Sequence, residues 1–449
     1  MTSSASGRTH GRTPDPDPES ESDRATGRPR AHPARDAGPA RDSGRDRVSV
    51  IGGGIAGLTA AISVAEAGVP VTLYEARAAL GGRGRTAEGP YRTSEGPHVF
   101  YSGPMWSWLG RRDLIGPTGR VPIGDALRIR FRHRGGLRSL PPRGLLRLAR
   151  IAVDQAPVDE SYRDWATRQV GAEGAEATAN FMAVGLFHHD PGSLSAAFVH
   201  ERFRRTASLP PGVRYPAGGW GQVMERMAAR AHDLGVRVET SARVDELPAD
   251  RGPVIVATSL AAARGLLGDE SPRWTGGRTV LVDLAVRRAR KDPFVVSDLD
   301  RTGWIERFSA VSPLLSPRGE SLFQAQFPVP PDAGKADGVA HAEELLDAAV
   351  PGWRERETWR RTALAHDRTG ALDPPGTTWR DRPAIDRGDG VFLAGDQVAA
   401  PGLLGEVAFS SGLTASSLAL RALGASHGPG ASRTARHPAT GTDLDLKVA

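Results

Sequence analysis

Residues 48–57 read Val-Ser-Val-Ile-Gly-Gly-Gly-Ile-Ala-Gly, and an acid, Glu75, stands eighteen positions after the last of these glycines. This set is suited to holding a dinucleotide by its phosphates rather than to breaking bonds. Gly52 permits a tight turn after a buried strand, Val48–Ile51. Gly54 lets a pyrophosphate approach the backbone, and Gly57 lets the next helix pack close to the strand. That helix, predicted over Ile55–Ala67, opens on Ile55 and Ala56, where free N–H groups and the positive dipole end face an anion. A second strand, Val71–Tyr74, ends in Glu75, placed to accept hydrogen bonds from ribose hydroxyls and to disfavour a 2′-phosphate. A Gly-x-Gly-x-x-Gly run alone is weak evidence, but here strand, helix and acid all stand where the chemistry needs them.

Other reactive side chains are sparse. Cysteine is absent, which excludes a disulfide framework, thiolate metal sites and a dithiol redox pair. The three lysines, Lys291, Lys335 and Lys447, fall in loops or the C-terminal tail. His188-His189-Asp190 invites a metal, but adjacent histidines on a helix point apart and no further ligand clusters nearby, so no metal is expected. No second strand–Gly-x-Gly-x-x-Gly–helix unit offers itself to a nicotinamide cofactor. Pro216-Ala217-Gly218-Gly219-Trp220-Gly221-Gln222 is glycine-rich but follows no strand.

The elements that must position these groups divide the 449 residues unevenly. Residues 1–47 hold nine arginines and eight acids with almost no large apolar side chain, and 425–449 read the same way. Neither can bury enough surface to offset its ordering entropy, so both are expected to be disordered. Segments 48–124, 213–270 and 386–424 read as pieces of one nucleotide domain. They carry a helix at about Gln222–Leu234 and strands Val236–Glu239, Val254–Ala257 and Val391–Ala394. The intervening 125–212 and 271–385, with short paired strands and proline turns, read as a substrate domain. The expected fold class is α/β, a Rossmann-type domain with an inserted α+β domain.

Glu75-Ala76-Arg77 followed by Gly81-Gly82-Arg83 resembles the second signature of the flavin amine oxidase and phytoene desaturase superfamily. The resemblance extends over 48–423 and implies a GR2-like FAD-binding domain. It places Glu75, Ala76 and Arg77 at the adenosine, Gly82 against the dinucleotide, and Arg83 toward phosphate or flavin. Val244, after Gly235-Val236-Arg237-Val238, matches a valine that contacts adenine. Gly395-Asp396 matches a pair that holds the ribityl chain. The helix from about Gly405, with Val407, directs its N-terminus toward the flavin pyrimidine. The segment Glu95–Tyr101 passes the ring face, which makes His98 a candidate base and Phe100 and Tyr101 pocket residues. His188 is a further pocket candidate, and Glu406 a candidate acid or base. A purely structural role stays open for His98, Glu406 and His188.

Within this resemblance the sequence departs from amine oxidases. No lysine stands ready beside the flavin N5, and Pro401–Val407 lacks the aromatic residue of an amine cage. The phytoene desaturase-like branch is left. It implies dehydrogenation of a hydrophobic small molecule by FAD, with oxygen or a quinone-type compound as electron acceptor. An amine or protoporphyrinogen-type oxidase is the alternative within enzymes. A lipid or prenyl carrier on the same fold is the alternative outside them, and Glu75 and Asp396 speak against it.

The net charge of +6 is carried almost wholly by arginine. Residues 126–150 hold eight arginines and no acid. Arg128, Arg130, Arg132 and Arg134 alternate with Ile129, Phe131 and His133, a strand period, and Gly135-Gly136 suits a hairpin turn. Leu145, Leu146, Leu148 and Ile151 with Arg147 and Arg150 suit a short basic amphipathic helix. Peripheral contact with an anionic membrane is one expectation and a solvated protein face the other. Nothing suggests nucleic-acid binding. No secretory signal or apolar span is legible, so a cytoplasmic location is expected.

Overall fold

The computed structural model describes residues 46–94, 98–151, 156–208, 212–248 and 252–426. Most of the two terminal segments expected to be disordered lies outside these residues. So do Glu95, Gly96 and Pro97.

Continuous apolar runs make the first sheet. It is parallel and five-stranded, in the order β15 (Val391–Leu393), β9 (Val254–Val256), β1 (Val48–Ile51), β2 (Val71–Tyr74) and β8 (Arg237–Glu239). The three strands β15, β9 and β1 are buried along their whole length. Strands covered on both faces must read this way. Helix α1 (Ile55–Glu66) packs on the sheet with α8 (Gly219–Asp233) and α12 (Gly405–Ser426), while α9 (Leu260–Leu267) follows β9. One apolar core joins these elements to Met105, Trp108 and Leu109 of α2 (Pro104–Gly110). Each large side chain buried there contributes about 1.5–3 kcal/mol. The helix expected at Gln222 starts three residues earlier, and α12 continues to Ser426.

The second sheet has seven strands. Its order is β14 (Glu357–Ala371), β10 (Gly276–Arg287), β13 (Glu320–Pro328), β12 (Gly303–Arg307), β11 (Val295–Asp298), β5 (Ile129–His133) and β6 (Gly136–Arg138). Two of its strands are long, twelve residues in β10 and fifteen in β14, where short strands are expected from sequence. The polar run of β14 conceals it: this is the edge strand of the sheet, where charged side chains are common. Alternation sets the two faces. Val280, Val282, Leu284, Ile305, Phe323, Ala325 and Phe327 pack against α10 (Lys335–Ala349), with α11 (Trp353–Arg356) beside it. Their neighbours Trp304, Glu306, Gln324 and Gln326 point the other way. Helices α4 (Arg143–Arg150), α5 (Tyr162–Val170), α6 (Ala172–Leu186) and α7 (Ala196–Thr206) form a separate core. A small sheet of β3 (Phe100–Tyr101), β7 (Val213–Pro216) and β4 (Thr118–Gly119) completes the strands, and α3 (Ile123–Ala126) follows it.

The basic hairpin forms one residue away from its expected turn. Arg134 and Gly135 take φ of 54° and 72°, and His133 pairs with Gly136, which is already strand. Asp300 explains the shift, since its carboxylate accepts from the N–H of Arg134 at 2.7 Å and of Gly135 at 2.8 Å. Those bonds hold a non-glycine residue in the left-handed region that a hairpin turn of this type requires.

Candidate functional site

The glycine loop after β1 is built twice over, once for packing and once for something else. A Cβ on Gly52 (φ +109°) would lie 2.4 Å from the Ala257 carbonyl oxygen, and one on Gly57 would lie 1.9 Å from that of Gly52. The chain itself therefore demands glycine at both. Gly54 is different. Its φ is −79°, and a Cβ there would meet nothing nearer than 3.9 Å. Gly395, with 3.6 Å of clearance, is equally free. Bare backbone at these two positions has no packing cause, and a ligand pressed against the backbone supplies one. The first turn of α1, with Ile55 and Ala56, has no acidic residue and no side-chain cap, so its N–H groups remain available to an anion.

Around this loop the other cofactor candidates assemble. Glu75 is buried, and its carboxylate accepts from the N–H of Gly53 at 2.8 Å and of Arg77 at 2.9 Å. Ala76 and Arg77 are exposed. The chain after β8 runs beside them, Ser241 N–H donating to Arg77 O and Ala242 N–H to Glu75 O, and this carries Val244 to the same edge. Gly81 N–H donates to Gly53 O at 2.7 Å, and a Cβ on Gly82 would lie 3.0 Å from the Gly54 Cα. Arg83 then forms an ion pair with Asp396 at 2.6 Å. Arg83 and Asp396, 313 positions apart in sequence, thus meet directly.

Trp220 fastens these pieces to the end of α12. Its ring stacks on Phe100 at 3.9 Å, its Nε1–H donates to Val99 O at 3.2 Å, and a Cβ on Gly405 would lie 2.7 Å from it. Val407 is buried in the core below. The loop entering α12 is clamped from α7 and from the segment after β14. Arg202 donates to Gly402 O at 3.1 Å, and the buried pair Asp373–Arg382, 2.7 Å apart, reaches Ala400 O.

Between the seven-stranded sheet, β3 and the start of α12, beyond Gly405, a cavity of about 70 Å³ opens. Phe100, Tyr101, Phe187, Trp304, Phe308, Leu403 and Leu404 make most of its wall, with His98, Gln326, Glu306 and Glu406 as polar members. Neither described lysine lines it. His188 does not line it either. Phe187, in a left-handed turn with φ 54°, takes that place, and His188 stacks edge-on against His189 at 4.6 Å. No group of three or more metal-ligating side chains occurs among the described residues.

The four polar members differ in availability. Gln326 donates from Nε2 to His98 Nδ1 at 2.7 Å, so the His98 proton sits on Nε2, which is buried and unpartnered. Burial lowers its pKa to about 3. A neutral imidazole with its acceptor nitrogen engaged is a hydrogen-bond donor to the cavity, and this arrangement speaks against His98 as a base. Glu406 is spoken for as well. Arg205 grips both its oxygens at 2.5 and 2.7 Å, and Leu403 N–H donates to it at 3.0 Å. Its place is a helix start held to α7 by Arg205. Glu306 is the carboxylate left over, and sequence reasoning misses it. Its signal is the alternation Trp304, Glu306, Phe308 beside Gln324 and Gln326. That pattern marks an unexpectedly polar sheet face, but it cannot show that the face covers a cleft.

Residues 50–111 match the NAD(P)-binding Rossmann-like domain family. In fold, a parallel dinucleotide-binding sheet joined to a second, larger sheet, the chain is similar to solved oxidoreductases, amine oxidases and a mutase. It is similar to carotenoid phi-ring synthase of Streptomyces griseus, 27% identical over 423 residues that span 80% of this chain and 72% of that protein. In fold it is similar to an oxidoreductase from Methanosarcina mazei, 17% identical, with a TM-score of 0.66 over 82% of this chain and 99% of that one. Cyclohexylamine oxidase from Brevibacterium oxydans is 15% identical, with a TM-score of 0.63 over 84% and 99%.

Proposed function

We propose that the protein binds FAD along the line from Glu75 through Gly54 and the Arg83–Asp396 pair to Gly405, and dehydrogenates an apolar molecule of the carotenoid class. The observation that carries this reading is the cavity at the end of that line. Its wall is aromatic and aliphatic, it holds no lysine, and one of its two carboxylates is already neutralised by Arg205. The sequence relationship to a carotenoid ring synthase supports the same substrate class. When bound, FAD supplies a two-electron acceptor at N5. The chain's own residues do the rest. The free N–H groups of α1 hold the pyrophosphate, Glu75 the ribose, and Arg83 and Asp396 the ribityl phosphate region. The ring wall excludes water from the reacting carbon, and His98 Nε2–H donates to whatever polar atom enters. Oxygen or a quinone-type compound would serve as the final electron acceptor. Anaerobic mixing tests the substrate class. Carotenoid-class polyenes in detergent are expected to bleach the flavin band while primary amines leave it unchanged, and bleaching by amines alone would overturn the reading.

Such a substrate dissolves in membranes, and the fold offers a place to meet one. Among the described residues six large apolar side chains are exposed, and five of them, Ile123, Leu127, Leu137, Leu140 and Leu146, fall along the stretch from α3 through the hairpin to α4. On α4, Leu145 and Leu148 face the core, while Arg143, Leu146, Arg147 and Arg150 line the outer face. Three arginines in and beside the hairpin, Arg128, Arg132 and Arg134, are paired with Asp125, Glu344 and Glu173. Exposed leucine among exposed arginines, with no acid from 126 to 150, complements an anionic bilayer surface. No helix among the described residues is long and apolar enough to cross a membrane. The full chain is expected to sediment with phosphatidylglycerol vesicles at low salt, and Leu140→Asp with Leu146→Asp to weaken this about tenfold or more. Equal recovery in the supernatant with and without vesicles contradicts the proposal. So does a patch that drives self-association instead.

A further inference from the structure

We infer that Glu306 is the proton acceptor of the reaction, an inference that rests on the dehydrogenation reading. Making a carbon–carbon double bond removes two hydrogens from adjacent carbons. One leaves with its electron pair to the flavin. The other leaves as a proton to a Glu306 oxygen, and the electron pair of that second C–H bond becomes the new π bond. The substrate is oxidised, the flavin reduced, and the carboxylate protonated.

Three features of the fold carry this assignment. Glu306 lines the cavity from the inner face of the seven-stranded sheet, held in place by antiparallel backbone pairing with Val295 and Gln324 on either side. Its oxygens are oriented by two fixed donors, Tyr215 O–H at 2.9 Å and Trp304 Nε1–H at 3.3 Å. Both donors leave lone pairs free, since a carboxylate can accept about four hydrogen bonds. It forms no ion pair among the described residues, whereas Glu406 across the cavity is bound by Arg205. The charged and titratable groups that face it are Tyr215 on β7, Tyr101 on β3, the Arg205–Glu406 pair of α7 and α12, and neutral His98. β13 presents only Gln324 and Gln326. Desolvation accordingly raises the carboxyl to about 7, opposed by the Tyr215 and Trp304 bonds. Two carboxylates in one pocket are thereby driven to different work, one permanently paired and one able to exchange a proton at neutral pH.

The FAD-loaded enzyme is tested two ways. In anaerobic bleaching by a carotenoid-class polyene, the wild-type rate is expected to rise with pH through a single limb near 7. In Glu306→Gln that limb disappears and the rate falls about a hundredfold or more, with flavin content unchanged. Infrared titration without substrate is expected to show a protonated carboxyl band that titrates near neutrality in the wild type and is missing in Glu306→Gln. Tyr215→Phe removes a donor that favours the ionised form, so both the limb and the band should move to higher pH. A Glu306→Gln variant that keeps rate and limb, or a Tyr215→Phe variant whose limb and band stay put, overturns the assignment. Absence of any bleaching in the wild type instead brings down the dehydrogenation reading itself.

Discussion

Replacing Gly57 with alanine is expected to cost the protein its fold. The added methyl would stand 1.9 Å from the Gly52 carbonyl oxygen, and neither group can turn aside, because one is the backbone of the strand-to-helix turn and the other is fixed in α1. Helix and strand must separate, which disturbs the packing of Val50, Ile51 and Leu58 in the fully buried centre of the domain. Overpacking of ordinary side chains costs about 1–3 kcal/mol. A backbone clash this deep lies at or above the top of that range. Thermal unfolding of soluble protein, where any is recovered, should show a clearly lowered midpoint. An unchanged midpoint would mean that the turn is looser than described.

Gly54→Ala is expected to do the reverse. Its methyl has 3.9 Å of clearance and its φ of −79° suits alanine, so the fold should hold, with a loss of about 1 kcal/mol or less at the start of α1. The flavin should not hold. The methyl occupies the space through which the pyrophosphate reaches the α1 N–H groups, and displacing that contact is expected to lower affinity about a hundredfold, near 2.7 kcal/mol. Equilibrium dialysis against FAD and a melting curve of the apoprotein read the two effects separately. A variant that melts normally and binds FAD normally would remove the cofactor from this loop. The pair of substitutions therefore separates glycines kept for packing from glycines kept for a ligand.

Much of the nucleotide domain was legible because its signals are local. Strand Val48–Ile51, the glycine turn, the helix from Ile55 and strand Val71–Tyr74 stand where the apolar run, the glycines and Glu75 put them. Each rests on a few consecutive residues. The seven-stranded mixed sheet was read less well. β14 carries arginines, threonines and a histidine that look like loop, and only its place at the sheet edge beside β10 explains them. The hairpin turn slipped by one residue because Asp300, 166 positions away from Arg134, fixes it. The cavity was harder still. His98 and Phe100 were nameable from their segment, but Gln326, which fixes the His98 tautomer, lies 228 positions off. Glu306 had no motif at all. Its chemistry arises from exclusion of water between two sheets, which no short stretch of sequence encodes. Glu406 erred in the opposite sense. A glutamate at a helix start looks available until Arg205, 201 positions earlier, is seen to bind both its oxygens.

The central claim, a bound FAD, is met most directly by the visible spectrum of the purified full chain before and after acid precipitation, with the released flavin identified by mass. The fold and cradle lead to flavin bands in the native protein and FAD in the supernatant. Absence of flavin in both fractions, even after incubation with added FAD, would contradict the account and favour a carrier protein built on the same fold.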